Sequence, residues 1–328
     1  MIVTVTPNPS VDRTVFLDTL VIGSVNRSRR SWSEPSGKGV NVALALHAHG
    51  EAVRAIVTVG GSVGAQLQQM LATVELDTVA VPIAGEIRSN ISLTRADGTV
   101  TKVNEMGPVI SSDEVADLLA AVATNVADAS WLVCGGSLPS GAPEDLYARL
   151  AQLGRERAVP VVVDSSGQSL AASLPGHPDL IKPNIHELAE LVERPLHTLG
   201  EIVDAAEDVR ARGAGAVLAS LGADGAVLVD KEGALHGEAP VEKVVSTVGA
   251  GDAMLAGFLA GSRSRRHAMT TALTWGAAAV QHEGTLFSPQ PPTTGCTLHD
   301  RIDRRRRLRD DEPAPTAAAV GPEVRADA

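Results

Sequence analysis

Apolar residues enter this chain in short uninterrupted runs, and the stretches between the runs repeat them every three to four positions. The runs Ile2-Val3-Thr4-Val5, Ala55 to Val59, Trp131 to Cys134, Val159 to Val163 and Ala216 to Ala219 are short and mostly β-branched or aliphatic. Runs of that kind read as strands buried on both faces. Val40 to His49, Asp113 to Val126, Pro143 to Gly154 and Leu199 to Arg212 carry the helical period instead. Strand and helix in alternation predict an α/β chain built on a mainly parallel sheet covered by helices. Ligands of such sheets collect at the carboxyl ends of the strands.

Two segments break the alternation. Arg13 to Trp32 and Arg88 to Asn104 alternate polar and apolar residues, and the second turns at Ala96-Asp97-Gly98-Thr99, an Asp-Gly hairpin signal. They predict a small sheet projecting from the main one, as a lid or an interface. The main unit is expected to span residues 1–292. From about Thr293 the chain reads as an extension, with Arg304 to Arg307 on a solvated helix fragment and a disordered Pro/Ala/Glu-rich end. No internal repeat of fixed period stands out.

Composition narrows the partners. A chain of 328 residues that is 44% hydrophobic is long enough to bury a substantial core. The net charge of -11 argues against a general electrostatic hold on nucleic acid, so no nucleic-acid partner is expected. With aromatic residues at 2%, few rings remain for stacking, and any ligand must be held chiefly by hydrogen bonds and charge. That favours a small polar substrate. Cys134 and Cys296 have no paired spacing, no stretch near Met1 reads as an export signal, and no segment approaches the ~20 apolar residues of a membrane span. A cytoplasmic protein without a membrane partner is the expectation.

The candidate chemistry sits in glycine clusters. Gly37-Lys38-Gly39 fails the nucleotide-loop pattern at Trp32 and Gly39, and Gly249-Ala250-Gly251 fails the dinucleotide pattern at Met254. What survives is physical: both clusters let backbone amides approach an anion, and both lead into helices. Asp252, directly after the second, fits either a helix cap contributing about 1 kcal/mol or a proton acceptor beside a bound phosphate. Lys38 fits an anion site or an ordinary solvated lysine, and Arg88 fits a ligand contact or a surface pair with Glu86. Asn184 and Glu187 have the spacing of a capping box. Asp164, ending an apolar run, is read as a strand-end acid satisfied by Ser165 or Ser166 and is left out of the site; Cys134 is read as core and His186 as an exposed helix residue.

Five ordered segments carry a resemblance. Asn8-Pro9-Ser10-Val11-Asp12, Gly37-Lys38-Gly39-Val40-Asn41-Val42-Ala43, Gly136-Ser137-Leu138-Pro139, Lys182-Pro183-Asn184 through Glu187, and Thr247-Val248-Gly249-Ala250-Gly251-Asp252 resemble the motifs of the ribokinase-like (PfkB) carbohydrate kinases, in their 1-phosphofructokinase and tagatose-6-phosphate kinase branch. The resemblance covers about Met1 to Pro292 and implies a ribokinase-like three-layer fold with a small β-sheet lid.

The resemblance also implies roles. Asp252 would be the catalytic base, and Gly249, Ala250 and Gly251 the anion hole for the transferred phosphoryl group. Asp12, Gly37, Lys38, Gly39, Asn41, Arg88, Asn90 and Ser137 would bind substrate, with Lys38 and Arg88 gripping the phosphate already on the sugar. Asn184, Ser220, Gly222, Gly225 and Thr247 would bind ATP, and Asn184 with Glu187 would hold Mg2+ through water. The implied reaction is ATP-dependent phosphorylation of a phosphorylated ketohexose, foremost fructose 1-phosphate to fructose 1,6-bisphosphate. Tagatose-6-phosphate and minor-type 6-phosphofructokinase activities are the alternatives, and a non-catalytic sugar-phosphate sensor is the alternative of another class. A homodimer through the lid is a further expectation. The chain departs from the family pattern at Ser36 and Ser89, both within the substrate pocket's motifs.

Overall fold

The computed structural model describes residues 1–282, 284 and 295–309. In chain order the first half forms β1 (Ile2–Thr6), β2 (Ser10–Leu17), β3 (Arg30–Ser36), α1 (Lys38–Ala48), β4 (Val53–Val59), α2 (Gly61–Thr73), β5 (Thr78–Pro82), β6 (Arg88–Arg95), β7 (Val100–Asn104), α3 (Ser112–Asn125) and β8 (Trp131–Gly135). The second half forms α4 (Leu146–Glu156), β9 (Val161–Asp164), α5 (Gly167–Ser173), β10 (Leu180–Ile181), α6 (Ile185–Leu191), α7 (Leu199–Ala211), β11 (Val217–Ser220), β12 (Ala226–Asp230), β13 (Gly233–Glu238), α8 (Ala250–Ala260), α9 (Arg265–Ala279) and β14 (Thr297–His299).

The apolar runs become the centre of a ten-stranded sheet in the order β14-β13-β12-β11-β10-β9-β8-β1-β4-β5. From β5 to β11 the pairings are parallel, and from β11 to β14 they are antiparallel. Every residue of β1 and β9 is buried, which is why those strands read as continuous apolar runs rather than alternating ones. Helix ends follow side-chain chemistry: Ser111 with Glu114, Asn184 with Glu187, and Thr198 with Glu201 each close a capping box.

The two non-alternating segments form a second sheet of four strands in the order β3-β2-β6-β7. Its inner pair, β2 and β6, is parallel and in register, so Ser10 faces Arg88 and Asp12 faces Asn90. The hairpin turns where the Asp-Gly signal lies, with Arg95 N donating to Thr99 O and Thr99 N to Asp97 Oδ1. The lid strands begin at Ser10 and close at Ser36, a few residues outside the expected limits, because Ser10 and Ser36 still pair.

The chain beyond residue 292 differs from the expected extension. β14 pairs with β13 and completes the main sheet, and Arg304 to Leu308 is not helical but lies along the start of α7. Arg304, Arg305 and Arg307 are exposed as expected, while the backbone of this segment bonds to His197, Leu199 and Gly200. The expected disordered end, 310–328, lies outside the described residues. Among the described residues no helix is long and apolar enough to cross a membrane.

Candidate active site

The site assembles at the carboxyl edge of the parallel strands, where α1 and α8 begin. Gly249 takes φ 75° as the N-cap of α8, a conformation costly for other residues, and it exposes the amides of the helix's first turn. Asp252 lies in that turn with 8% of its surface exposed, because α8 is apolar and buried on nearly all sides. It does not cap its own helix. Its Oδ2 instead accepts a 2.7 Å hydrogen bond from Asn41 Nδ2 on α1. Burial, and then the charge of Asp164, push its carboxyl up to about 6, while Lys182, Lys38 and the Asn41 bond act in the opposite sense.

Asp164, set aside on sequence grounds, stands at the centre of the charge cluster. β9 and β10 pair Val163 with Ile181, so Asp164 and Lys182 leave adjacent strand ends side by side. Lys182 Nζ lies 3.1 Å from Asp164 Oδ2, and Lys38 Nζ donates to Asp164 Oδ1 at 2.7 Å and to Glu187 Oε1 at 3.2 Å. Asp164 is fully buried. Burial works to protonate it, but Lys182 and Lys38 prevail and hold its carboxyl below the usual range. Burial also works against the charged form of Lys38, but Asp164 and Glu187 prevail and raise its pKa. Ser165, the partner expected for Asp164, donates instead to Gly136 O.

Lys182 was missed as a site residue although its motif was recognised. Its side chain is only 5% exposed, and a methyl group added at Gly251 would lie 3.2 Å from its ammonium. A buried lysine thus faces the first turn of α8. The available signal was positional: Asp164 and Lys182 are charged residues that directly follow buried apolar pairs at the ligand-binding edge of a parallel sheet.

A second group of polar side chains belongs to the lid sheet. Asp12 Oδ1 accepts from Ser10 Oγ at 2.7 Å and from Asn90 Nδ2 at 2.9 Å, a contact set by the β2–β6 register. Arg88 donates to the carbonyls of Asn8 and Glu105, and burial lowers its pKa against the attraction of Asp12. Asn8 Nδ2 donates to Ser137 Oγ at 3.3 Å, bringing that serine to the same group. Asn8 Oδ1, Asn41 Oδ1 and Asn90 Oδ1 are buried acceptors with no donor. Such acceptors suit the hydroxyl groups of a polar ligand.

Lys38 and Arg88 share no partner among the described contacts: the first turns to Asp164 and Glu187, the second to the lid. Gly37 is the N-cap of α1, and Gly39 lets the helix lie against Val5 of β1 and Gly135 of β8. On the other side, Asn184 bridges Ser220 at the end of β11, where Gly222 to Gly225 make a tight turn. Glu187 serves two contacts at once, with Oε2 accepting from Asn184 N and Oε1 from Lys38. Thr247 lies just before α8, its carbonyl accepting from Ala250 N. His186 remains exposed and Cys134 is buried core.

Comparison with known proteins gives a consistent set of relatives. A family model described as "pfkB family carbohydrate kinase" matches residues 6–292. A 1-phosphofructokinase of Haloferax volcanii is 39% identical over 83% of this chain and 86% of its own. A 1-phosphofructokinase of Bacillus subtilis is 36% identical over 80% of this chain and 85% of its own. The tetrameric inhibited form of phosphofructokinase-2 from Escherichia coli superposes with a TM-score of 0.81 at 31% identity, covering 85% of this chain and 94% of its own.

Proposed function

Because the chain belongs to the pfkB family of carbohydrate kinases, we propose that it transfers the terminal phosphoryl group of ATP to fructose 1-phosphate, giving fructose 1,6-bisphosphate. The mainly parallel sheet with its small lid is the ribokinase-like fold. The observation that carries the reading is the buried Asp252, bonded to Asn41 at the first turn of α8, beside the Lys38–Asp164–Lys182 cluster. That the Haloferax volcanii and Bacillus subtilis relatives are 1-phosphofructokinases supports the choice of sugar phosphate.

Phosphoryl transfer needs positioning and charge neutralisation more than covalent help. Asp252 orients the acceptor hydroxyl and takes its proton as the oxygen bonds to the γ-phosphorus and the bond to the β-phosphate oxygen breaks. The first-turn amides of α8, from Gly249 to Gly251, receive the charge on the transferring group. Lys38 and Lys182, drawn together by Asp164, neutralise the same charge from the other side. The carboxylate of Glu187 is a hard oxygen donor that suits Mg2+, and Glu187 with Asn184 would hold the ion through water. Mg2+ there supplies further charge neutralisation.

Asp12 and Asn90, with the open acceptors of Asn41 and Asn8, bind the sugar hydroxyls, and Ser137 joins them. Arg88 takes the phosphate already on the sugar. Ser220, Gly222, Gly225 and Thr247 bind the nucleotide.

The lid also carries the proposed homodimer. Val21, Ile22, Val25, Val100 and Val103 leave apolar surface exposed on its strands and loops. Light scattering at micromolar concentration is expected to give twice the chain mass, and a monomer with and without substrate would remove the dimer from the proposal.

The reaction is tested by following ATP consumption with fructose 1-phosphate, fructose 6-phosphate, tagatose 6-phosphate and unphosphorylated sugars. The highest kcat/KM is expected with fructose 1-phosphate. A higher value with another sugar phosphate would change the substrate, and no turnover with any of them would favour a sugar-phosphate sensor.

A further inference from the structure

The C-terminal arm contacts the turn after β11 chiefly through one buried carboxylate, with a longer bond from Arg309 Nη1 to Ala223 O. Asp224 ends the short helical turn that begins at Gly222, and its side chain is 1% exposed. The turn closes through Leu221 N to Gly225 O and Gly225 N to Gly222 O. Two groups of the arm meet both oxygens of the carboxylate: Arg306 Nη2 reaches Asp224 Oδ1 at 2.6 Å, and the backbone N of Arg309 donates to Oδ2 at 2.6 Å. Behind the turn, the ring of His236 on β13 reaches the carbonyl of Asp224 at 2.9 Å.

Arg306 is itself held in place. Its guanidinium engages both oxygens of Glu238 on β13, at 2.7 and 2.9 Å, in the forked geometry that fixes an arginine in orientation as well as position. The neighbouring His236, Glu238 and His299 stand close enough together to suggest a cation site, but Arg306 occupies both oxygens of the glutamate. The arm's backbone is fastened too, with Leu199 N donating to Arg306 O and Leu308 N to His197 O. One arginine therefore joins three parts of the chain: the turn after β11, strand β13, and the arm lying along α7.

We infer that Arg306 is a positioning residue for the nucleotide turn, holding Gly222 to Gly225 in the shape that receives ATP through its ion pair with Asp224. The inference rests on the proposal that this turn binds the nucleotide. Among the described residues 295–309, no hydrogen bond or ion pair reaches the phosphoryl-transfer groups or the lid, so the effect is expected on one substrate. Among the described residues Arg306 is the one side-chain counter-ion within hydrogen-bond distance of Asp224; without it the buried carboxylate keeps the Arg309 amide and a guanidinium at 3.7 Å, and the turn is less firmly held.

The test compares Arg306→Ala, Arg306→Gln, Arg306→Lys and Gly222→Ala with the full-length enzyme. Equilibrium binding of a non-hydrolysable ATP analogue is measured first, then steady-state kinetics with each substrate varied. Arg306→Ala and Arg306→Gln should raise the analogue's Kd and the KM for ATP roughly three- to thirty-fold, the range in which a residue outside a site modulates it. The KM for fructose 1-phosphate, and kcat at saturating ATP, should stay within about twofold, and Arg306→Lys should recover part of the loss. A merely structural role would lower activity toward both substrates together. If Gly222→Ala weakens analogue binding but neither Arg306 variant does, the positioning role is overturned while the nucleotide turn stands. If Gly222→Ala binds the analogue like the wild type and Arg306→Gln also leaves binding unchanged, both are overturned. Should Arg306→Ala fail to fold, the glutamine and lysine variants carry the comparison, and wild-type binding by both overturns the proposal.

Discussion

Asn41 Nδ2 donates to Asp252 Oδ2 across 2.7 Å, fixing one carboxylate oxygen of α8 from the neighbouring helix α1. Among the described residues no hydrogen bond reaches the other oxygen. Because both residues are nearly buried, this bond decides where the base points and favours its charged form.

That bond sets an expected pH dependence. Burial and Asp164 raise Asp252 to about 6, so kcat/KM should fall as pH drops through that value and the base takes up a proton. Asn41→Ala removes a donor to the charged form, and the acid limb should move to higher pH by about half to one unit. The substrate's own phosphate titrates identically in both enzymes, so the difference between the two profiles belongs to the protein. An unmoved limb would detach Asn41 from the ionisation.

The same shift carries a stability cost at neutral pH. The folded state holds its proton more tightly than an ordinary carboxyl at 3.8, so this group's contribution to stability grows as pH falls through about 6 and is complete below the unfolded value. Asp252→Asn removes the titration and should unfold at higher denaturant at pH 7, by on the order of 1–3 kcal/mol, with the gain vanishing near pH 4. Equal stability at both pH values would mean the carboxylate is not held in an unfavourable environment.

Lys38 and Arg88 are expected to part in kinetics as they do in space. Arg88→Ala should raise the KM for fructose 1-phosphate roughly ten- to hundred-fold with little change in the KM for ATP, the scale of one charge-assisted contact. Lys38→Ala should act mainly on kcat, since its partners Asp164 and Glu187 lie by the phosphoryl-transfer groups. A rise in the fructose 1-phosphate KM alone for Lys38→Ala would return that lysine to the sugar's phosphate.

Asp164 is expected to matter to folding as well as to catalysis. Asp164→Ala leaves Lys182, 5% exposed, without its carboxylate at 3.1 Å. Breaking a buried pair from one side costs about 3–5 kcal/mol, which chemical denaturation would register directly. A loss below about 1 kcal/mol would show that Lys182 reaches water when the acid is gone.

Much of this arrangement was legible in the residues. The continuous runs Ile2 to Val5 and Val161 to Val163 announce strands buried on both faces, and Asp97-Gly98 marks the lid hairpin through its turn chemistry. The glycines around Asp252 point to a helix start that faces an anion. What stayed hidden depends on register between distant strands. Asp164 and Lys182 meet because β9 and β10 end together, and neither residue's local sequence names the other. The separation of Lys38 and Arg88 was hidden in the same way: both flank plausible phosphate sites, but Lys38 starts helix α1 beside Asp164 and Arg88 starts strand β6 of the small sheet. In the arm, Arg304, Arg305 and Arg307 are exposed as their composition suggests, and only Arg306 turns inward, because Asp224 and Glu238 supply its counter-charges.

The most direct measurement is a single-turnover comparison of wild type and Asp252→Asn with saturating ATP and fructose 1-phosphate, alongside equilibrium binding of both ligands. The amide keeps the size of the carboxylate and can still accept from Asn41, but it has no basicity. Binding should stay within a few-fold and phosphoryl transfer should slow by about 100- to 10,000-fold, the range for loss of a general base. Transfer at near wild-type rate by Asp252→Asn would contradict the assignment and leave Asp252 as a structural residue of α8.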